Sequence, residues 1–168
     1  KEMGLNHVVI TSVDRDDLKV DFGASIWAET INQIHQMAPG CTVEVLTPDF
    51  QGHLSSINKV FEARPEIFSH NVECVERISK KVRTQSVWQR SRSVLHASIK
   101  FGLLTKTGLM VGLGETDNEV LETMEEMAIL GVEIFNIGQY LQPTKNHLEV
   151  DRFVHPDIFE MYKEKGLD

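Results

Sequence analysis

Cysteine is scarce in this chain: 168 residues carry two, Cys41 and Cys74. A disulfide-stapled secreted scaffold needs dense cysteine usage, and a structural zinc or a thiolate-held iron–sulfur cluster needs three or four ligands. Two cysteines 33 residues apart supply neither, and they read as small buried hydrophobes of a reducing compartment. Positive charge is also short. Seventeen Lys plus Arg stand against 25 Asp plus Glu, a formal net charge of −8, which argues against a nucleic-acid groove or an anionic membrane surface as the main partner. No apolar run approaches the roughly 18 to 20 residues that span a bilayer; Gly108–Leu113 is among the longest. The start of the chain has no signal-peptide pattern, and no Gly/Ser linker or low-complexity tract divides the rest. The expectation is a soluble cytoplasmic protein with one domain over residues 1–168.

What is present is an alternation. Five short β-branched runs read as strands: His7–Val13, Thr42–Pro48, Ile67–Glu73, Thr107–Leu113 and Glu133–Leu141. Between them the apolar spacing is helical. Trp27, Ile31, Ile34 and Ala38 share one face of Ala24–Ala38, and Trp88, Val94, Leu95, Ser98 and Ile99 share one face of Trp88–Phe101. Glu115–Leu130 is the clearest helix, with Thr116 and Glu119 as a capping box and Gly131 as its stop. Shorter helices are expected at Leu54–Ala63, Val75–Val82 and Pro156–Lys165. Strand starts lie 25 to 40 residues apart, enough for one helical crossover each, so the sheet is parallel. Periodicity leaves two architectures open, a doubly wound sheet and an arc of a (β/α) barrel.

Either architecture puts its ligand at the carboxyl ends of the strands. There the first strand offers Asp14-Arg15-Asp16-Asp17, able to chelate a cation or fix a substrate amine and carboxylate, or equally to cap a helix from solvent. The second offers Thr47-Pro48-Asp49-Phe50-Gln51-Gly52, by itself only a loop. In the third, alternation sends Asn71 and Glu73 to one side, where an amide and a carboxylate suit the vicinal hydroxyls of a ribose; the bland reading makes His70 a satisfied core histidine and Glu73 a helix start. Gly112-x-Gly114 sits at a strand-to-helix turn, but a dinucleotide fingerprint would need a third glycine where Asp117 stands, which leaves a neutral moiety such as adenine as the better fit. The fifth strand ends in Gln139, Tyr140 and Gln142, too polar for a strand end without a task. The histidines form no HExxH or HxH pattern.

Five stretches, VVITSVDRDDL (Val8–Leu18), VEVLTPDFQG (Val43–Gly52), HNVE (His70–Glu73), GLMVGLGET (Gly108–Thr116) and GQYLQPT (Gly138–Thr144), resemble lipoyl synthase, a radical S-adenosylmethionine family, in order and over nearly the whole chain. The resemblance implies an α/β fold, a partial (β/α)6 TIM-type barrel of which these strands are the second to sixth. It implies a sulfurtransferase that inserts two sulfur atoms at C6 and C8 of a protein-bound octanoyl chain. The implied cofactors are S-adenosylmethionine and two [4Fe–4S] clusters, one yielding the 5′-deoxyadenosyl radical and an auxiliary one giving up sulfur. The implied partners are octanoylated lipoyl carrier domains (the E2 of 2-oxoacid dehydrogenases, the glycine cleavage H protein) and a reductant such as ferredoxin or flavodoxin.

Carried over by position, Asn71 and Glu73 fall near the S-adenosylmethionine ribose, Arg90 at its methionine carboxylate, Gly112, Gly114, Glu115, Gln139 and Tyr140 on the adenine side, and Asp14, Arg15 and Asp16 in the loop facing cofactor and substrate. The departures are equally specific. The family's cluster cysteines and C-terminal serine match nothing here, Cys41 and Cys74 fall where the family places no ligand, and Lys19–Ala24 lacks the second glycine of the usual D-G-G-A. The chain is therefore expected to be a fragment, an incomplete chain or a degenerate paralogue, inactive alone. A competing expectation from a different class is a non-catalytic receiver-like α/β domain holding Mg²⁺ at Asp14, Asp16 and Asp49.

Overall fold

The computed structural model describes residues 2–82 and 87–167. Each β-branched run becomes a strand and each helical stripe a helix. In chain order these are β1 (His7–Thr11), α1 (Ala24–Met37), β2 (Thr42–Leu46), a 3₁₀ turn (Phe50–Gly52), α2 (Leu54–Glu62), β3 (Ile67–Ser69), α3 (Glu76–Val82), α4 (Trp88–Phe101), β4 (Leu104–Val111), α5 (Asp117–Leu130), β5 (Ile134–Gln139) and α6 (Pro156–Leu167). The strands form one sheet in the order β1-β2-β3-β4-β5, every neighbouring pair parallel.

Alternation decides the two faces of that sheet. Val43, Val45 and Phe68 lie under the helices with Trp27, Ile31, Ile57, Val60, Phe61 and Val94. A second cluster joins Leu109 and Val111 to Trp88, Leu95, Val120, Met127 and Tyr162. Burying each such aliphatic side chain is worth about 1.5–3 kcal/mol, so these two clusters are what fixes the helices against one face. The opposite face is polar by comparison: Glu44 there is buried and takes a 2.8 Å bond from the Lys106 ammonium.

Local chemistry sets the boundaries. Thr116 and Glu119 form the expected capping box, with the Glu119 amide donating to the Thr116 hydroxyl at 3.3 Å and Glu119 accepting from the Thr116 amide at 2.8 Å. Gly131 ends α5 at φ 103°, a conformation that excludes most side chains. In the loop that departs from D-G-G-A, Asp21 takes over the capping, accepting from the amides of Gly23 and Ser25 at 3.1 Å each.

Several strands are shorter than their apolar runs. β3 stops at Ser69, not Glu73, because Glu73 turns left-handed at φ 72° and rejoins β4 only through an isolated bridge to Leu109. β1 stops at Thr11 and β2 at Leu46, and β4 starts three residues earlier than its apolar run, at Leu104.

Candidate ligand site at the strand ends

The carboxyl ends of β1, β2 and β3 enclose a cavity of about 130 Å³ lined by Thr11, Ser12, Asp14, Leu46, Thr47, Pro48, His70, Asn71 and Glu73. The end of β3 does not follow strand alternation. His70, Asn71 and Glu73 all reach this cavity, because the chain bulges after Ser69: the Glu73 amide donates to the Gly108 carbonyl at 3.1 Å, and the Met110 amide donates back to the Glu73 carbonyl at 2.7 Å. A non-glycine residue in the left-handed region costs about 1–2 kcal/mol, and here that strain aims a carboxylate into the cavity.

His70 is almost fully buried and bridges two elements. The Thr47 carbonyl, 2.9 Å from Nδ1, can only accept, so Nδ1 carries the hydrogen; Nε2 is hydrogen-bonded to the Ser91 hydroxyl at 3.0 Å. The ring thus ties the end of β2 to the first turn of α4. Thr47 is itself buried, and among the described residues its hydroxyl has no hydrogen-bond partner. Such an orphan costs about 1–3 kcal/mol.

The other residues singled out in the sequence divide into two groups. Asp14 lines the cavity, whereas the Arg15 guanidinium is taken by Asp17 at 2.7–2.8 Å and Asp16 is half-buried beside it. Asp49 is committed as well: it accepts from the Gln51 amide at 2.8 Å and from the Arg90 Nε at 2.6 Å. Among the described residues no group of three or more His, Cys, Asp or Glu is placed to hold a metal ion.

At β4 and β5 the candidates serve the polypeptide. Buried Glu115 accepts from the amides of Gly112 and Leu113 at 2.7 and 2.9 Å. Gly112, at φ 98°, stands so close to its neighbours that an added Cβ would lie 2.5 Å from the Arg152 carbonyl. Gln139 holds the returning segment through the Arg152 carbonyl and the Val154 amide, at 3.1 and 2.8 Å, and the Tyr140 hydroxyl donates to the Leu148 carbonyl at 2.8 Å. Gly114 at φ 96° completes the turn.

Asp117, which stands where the dinucleotide fingerprint would need its third glycine, accepts from Arg152 at 2.6 Å and from the Tyr162 hydroxyl at 2.7 Å. The Arg152 bond holds the Asp117 carboxyl below its ordinary range, and burial pushes the Tyr162 phenol up. No local pattern signals this triad or the Asp49–Arg90 pair, because each joins residues at least 35 positions apart.

A parallel five-stranded sheet with helical crossovers and a cavity at its carboxyl end is a partial (β/α) barrel. A solved structure, methylornithine synthase, superimposes with a TM-score of 0.78 over 99% of this chain and 49% of its own, at 11% identity. No family model matches the chain. Curated proteins do: the lipoyl synthase of Treponema denticola is 48% identical over 98% of this chain and 56% of its own length. That of Parabacteroides distasonis is 50% identical over 99% and 59%, and that of Rubrobacter xylanophilus 50% identical over 100% and 53%. Along its whole length the chain is thus lipoyl-synthase-like, and it spans a little over half the length of these relatives. Among the described residues no helix is long and apolar enough to cross a membrane.

Proposed function

We propose that these residues form the barrel core of a lipoyl synthase and that the cavity at the ends of β1–β3 receives the nucleoside of S-adenosylmethionine. The observation that carries this reading is that Asn71 and the left-handed Glu73 line one cavity together with the hydroxyl residues Thr11 and Ser12. A carboxylate, an amide and a hydroxyl together can bind vicinal diols. S-adenosylmethionine held there would, on one-electron reductive cleavage by an external reductant, supply the hydrogen-abstracting chemistry that precedes sulfur insertion into the octanoyl chain.

The chain's own part is to bind and orient. Glu73 accepts from the ribose hydroxyls, Asn71 donates or accepts beside it, Arg90 takes the methionine carboxylate, and the Gly112–Glu115 turn with Gln139 and Tyr140 walls the adenine side. Asp14, Arg15 and Asp16 form the loop facing cofactor and substrate. The described residues do not fit an iron–sulfur cluster: Cys41 and Cys74 are both buried, so no step is assigned to one here. In this reading the chain alone is inactive. The substrates are octanoylated carrier domains and the reductant is a ferredoxin or flavodoxin, all in the cytoplasm.

A chimera tests the reading. Residues 1–168 replace the corresponding segment of the Treponema denticola lipoyl synthase, and conversion of an octanoyl carrier domain is followed by mass spectrometry. Conversion that is lost in the Glu73→Ala chimera is expected; a folded chimera that retains its iron–sulfur content yet converts nothing contradicts it.

A further inference from the structure

The turn from Asp49 to Gly52 has no stated task, yet its backbone is costly. Phe50, Gln51 and Gly52 are left-handed in succession, at φ 46°, 51° and 77°. Two non-glycine residues in that region are strained, and such strain persists only where surrounding structure enforces it. Phe50 does so by being almost fully buried in the first core cluster. The product is a cradle for one side chain. The Asp49 carboxylate is pinned through one oxygen by the Gln51 amide at 2.8 Å, and its other oxygen accepts from the Arg90 Nε at 2.6 Å. Gly52 presents bare backbone to the stem of the same residue: a Cβ there would lie 3.2 Å from the Arg90 Cδ and 3.4 Å from its Cγ. At the next residue along α4, the His70–Ser91 bond fastens the same helical turn to the cavity wall.

We propose that Asp49 and Gly52 are positioning residues that pre-orient the Arg90 guanidinium as the receptor for the carboxylate of an amino-acid ligand at the strand ends. The proposal rests on the assignment of S-adenosylmethionine to this site and adds to it the part that orders the arginine. A planar guanidinium recognises a carboxylate by direction as well as charge, and ordering a long side chain before binding removes an entropic cost from association. Orientation and electrostatics predict opposite signs here. Removing the Asp49 charge exposes more of the arginine's positive charge to the ligand, which favours binding; removing its oxygen atoms frees the arginine to move, which opposes it. Asp49→Asn keeps an accepting oxygen, whereas Asp49→Ala keeps none.

Calorimetry on the 168-residue chain with S-adenosylmethionine and with its decarboxylated analogue separates these effects. Asp49→Ala and Gly52→Ala are each expected to weaken S-adenosylmethionine roughly tenfold and the analogue by less than about twofold, with Asp49→Asn at or above wild-type affinity. An Asp49→Ala affinity equal to or tighter than wild type overturns the proposal, as does equal loss for both ligands. Should Asp49→Ala not fold by circular dichroism, Gly52→Ala decides by the same criterion. A wild-type chain that binds neither ligand overturns this proposal and the site assignment together; a wild-type preference for the carboxylate that Arg90→Ala abolishes and the cradle variants leave intact overturns this proposal alone.

Discussion

Thr47 separates what the fold needs from what a ligand needs. Its hydroxyl is buried beside the cavity without a hydrogen-bond partner among the described residues, so the ligand-free chain bears the desolvation of a polar atom and gains nothing for it. Thr47→Val keeps the shape and removes the orphan. The expected outcome is a urea midpoint equal to or higher than wild type, by up to about 1 kcal/mol, with S-adenosylmethionine binding unchanged by calorimetry. A variant that loses stability would make the hydroxyl structural, and one that loses affinity would place it against the ligand. Glu73 gives a second case. Glu73→Gly relieves the left-handed strain while freeing the unfolded chain, two effects of about 1 kcal/mol that oppose each other. The thermal midpoint should stay within roughly 5 °C while ligand binding is lost. Of these two residues, Glu73 was legible in the sequence as a strand-end carboxylate. Thr47 was not, because an unpartnered hydroxyl is a property of packing.

At the scale of elements, the helices were the most readable part, since Thr116 with Glu119, and Gly131, carry their boundaries in local chemistry. Strand ends were less so: the bulge that brings His70, Asn71 and Glu73 to one cavity depends on pairing with β4, 35 or more residues away. The turn after β4 makes a sharp prediction. Gly112→Ala would place a methyl group 2.5 Å from the Arg152 carbonyl in a left-handed backbone, so stability should fall by about 2–4 kcal/mol in urea melts; a loss under 1 kcal/mol would show that the segment 150–154 yields. Acid should loosen two elements. The Arg77 bond holds Glu119 down at about 2 from an ordinary 4.5, and the Lys59 bond holds Asp21 down at about 2 from 3.8. Depressed carboxylates stabilise fully above their unfolded values, so stability should be level above about pH 5 and fall from there through pH 2. Urea midpoints across that range check this, and Glu119→Gln with Asp21→Asn should flatten the slope.

For the whole molecule, the alternation of β-branched runs and helical stripes announced a parallel sheet, and the five β-α units appear as read, in strand order 1 to 5. Periodicity left open whether that sheet curved into a barrel, which resemblance and superposition together decided. The curvature has a consequence at the first strand. Among the described residues β1 pairs only with β2, and Leu5, Val9 and Val13 are exposed alongside it. A bare edge with apolar neighbours templates association, so sedimentation velocity at tens of micromolar should show species heavier than the monomer, and Val9→Lys should reduce them; a strictly monomeric wild type would contradict this.

In the proposed reading the cavity at the ends of β1–β3 binds a nucleoside cofactor and not a cation. Separate calorimetric titrations of the chain with S-adenosylmethionine and with Mg²⁺ decide between the two. Saturable one-to-one binding of S-adenosylmethionine that Asn71→Ala and Glu73→Ala each abolish, with no stoichiometric heat from Mg²⁺, is the result predicted; stoichiometric Mg²⁺ binding with no response to S-adenosylmethionine would contradict it.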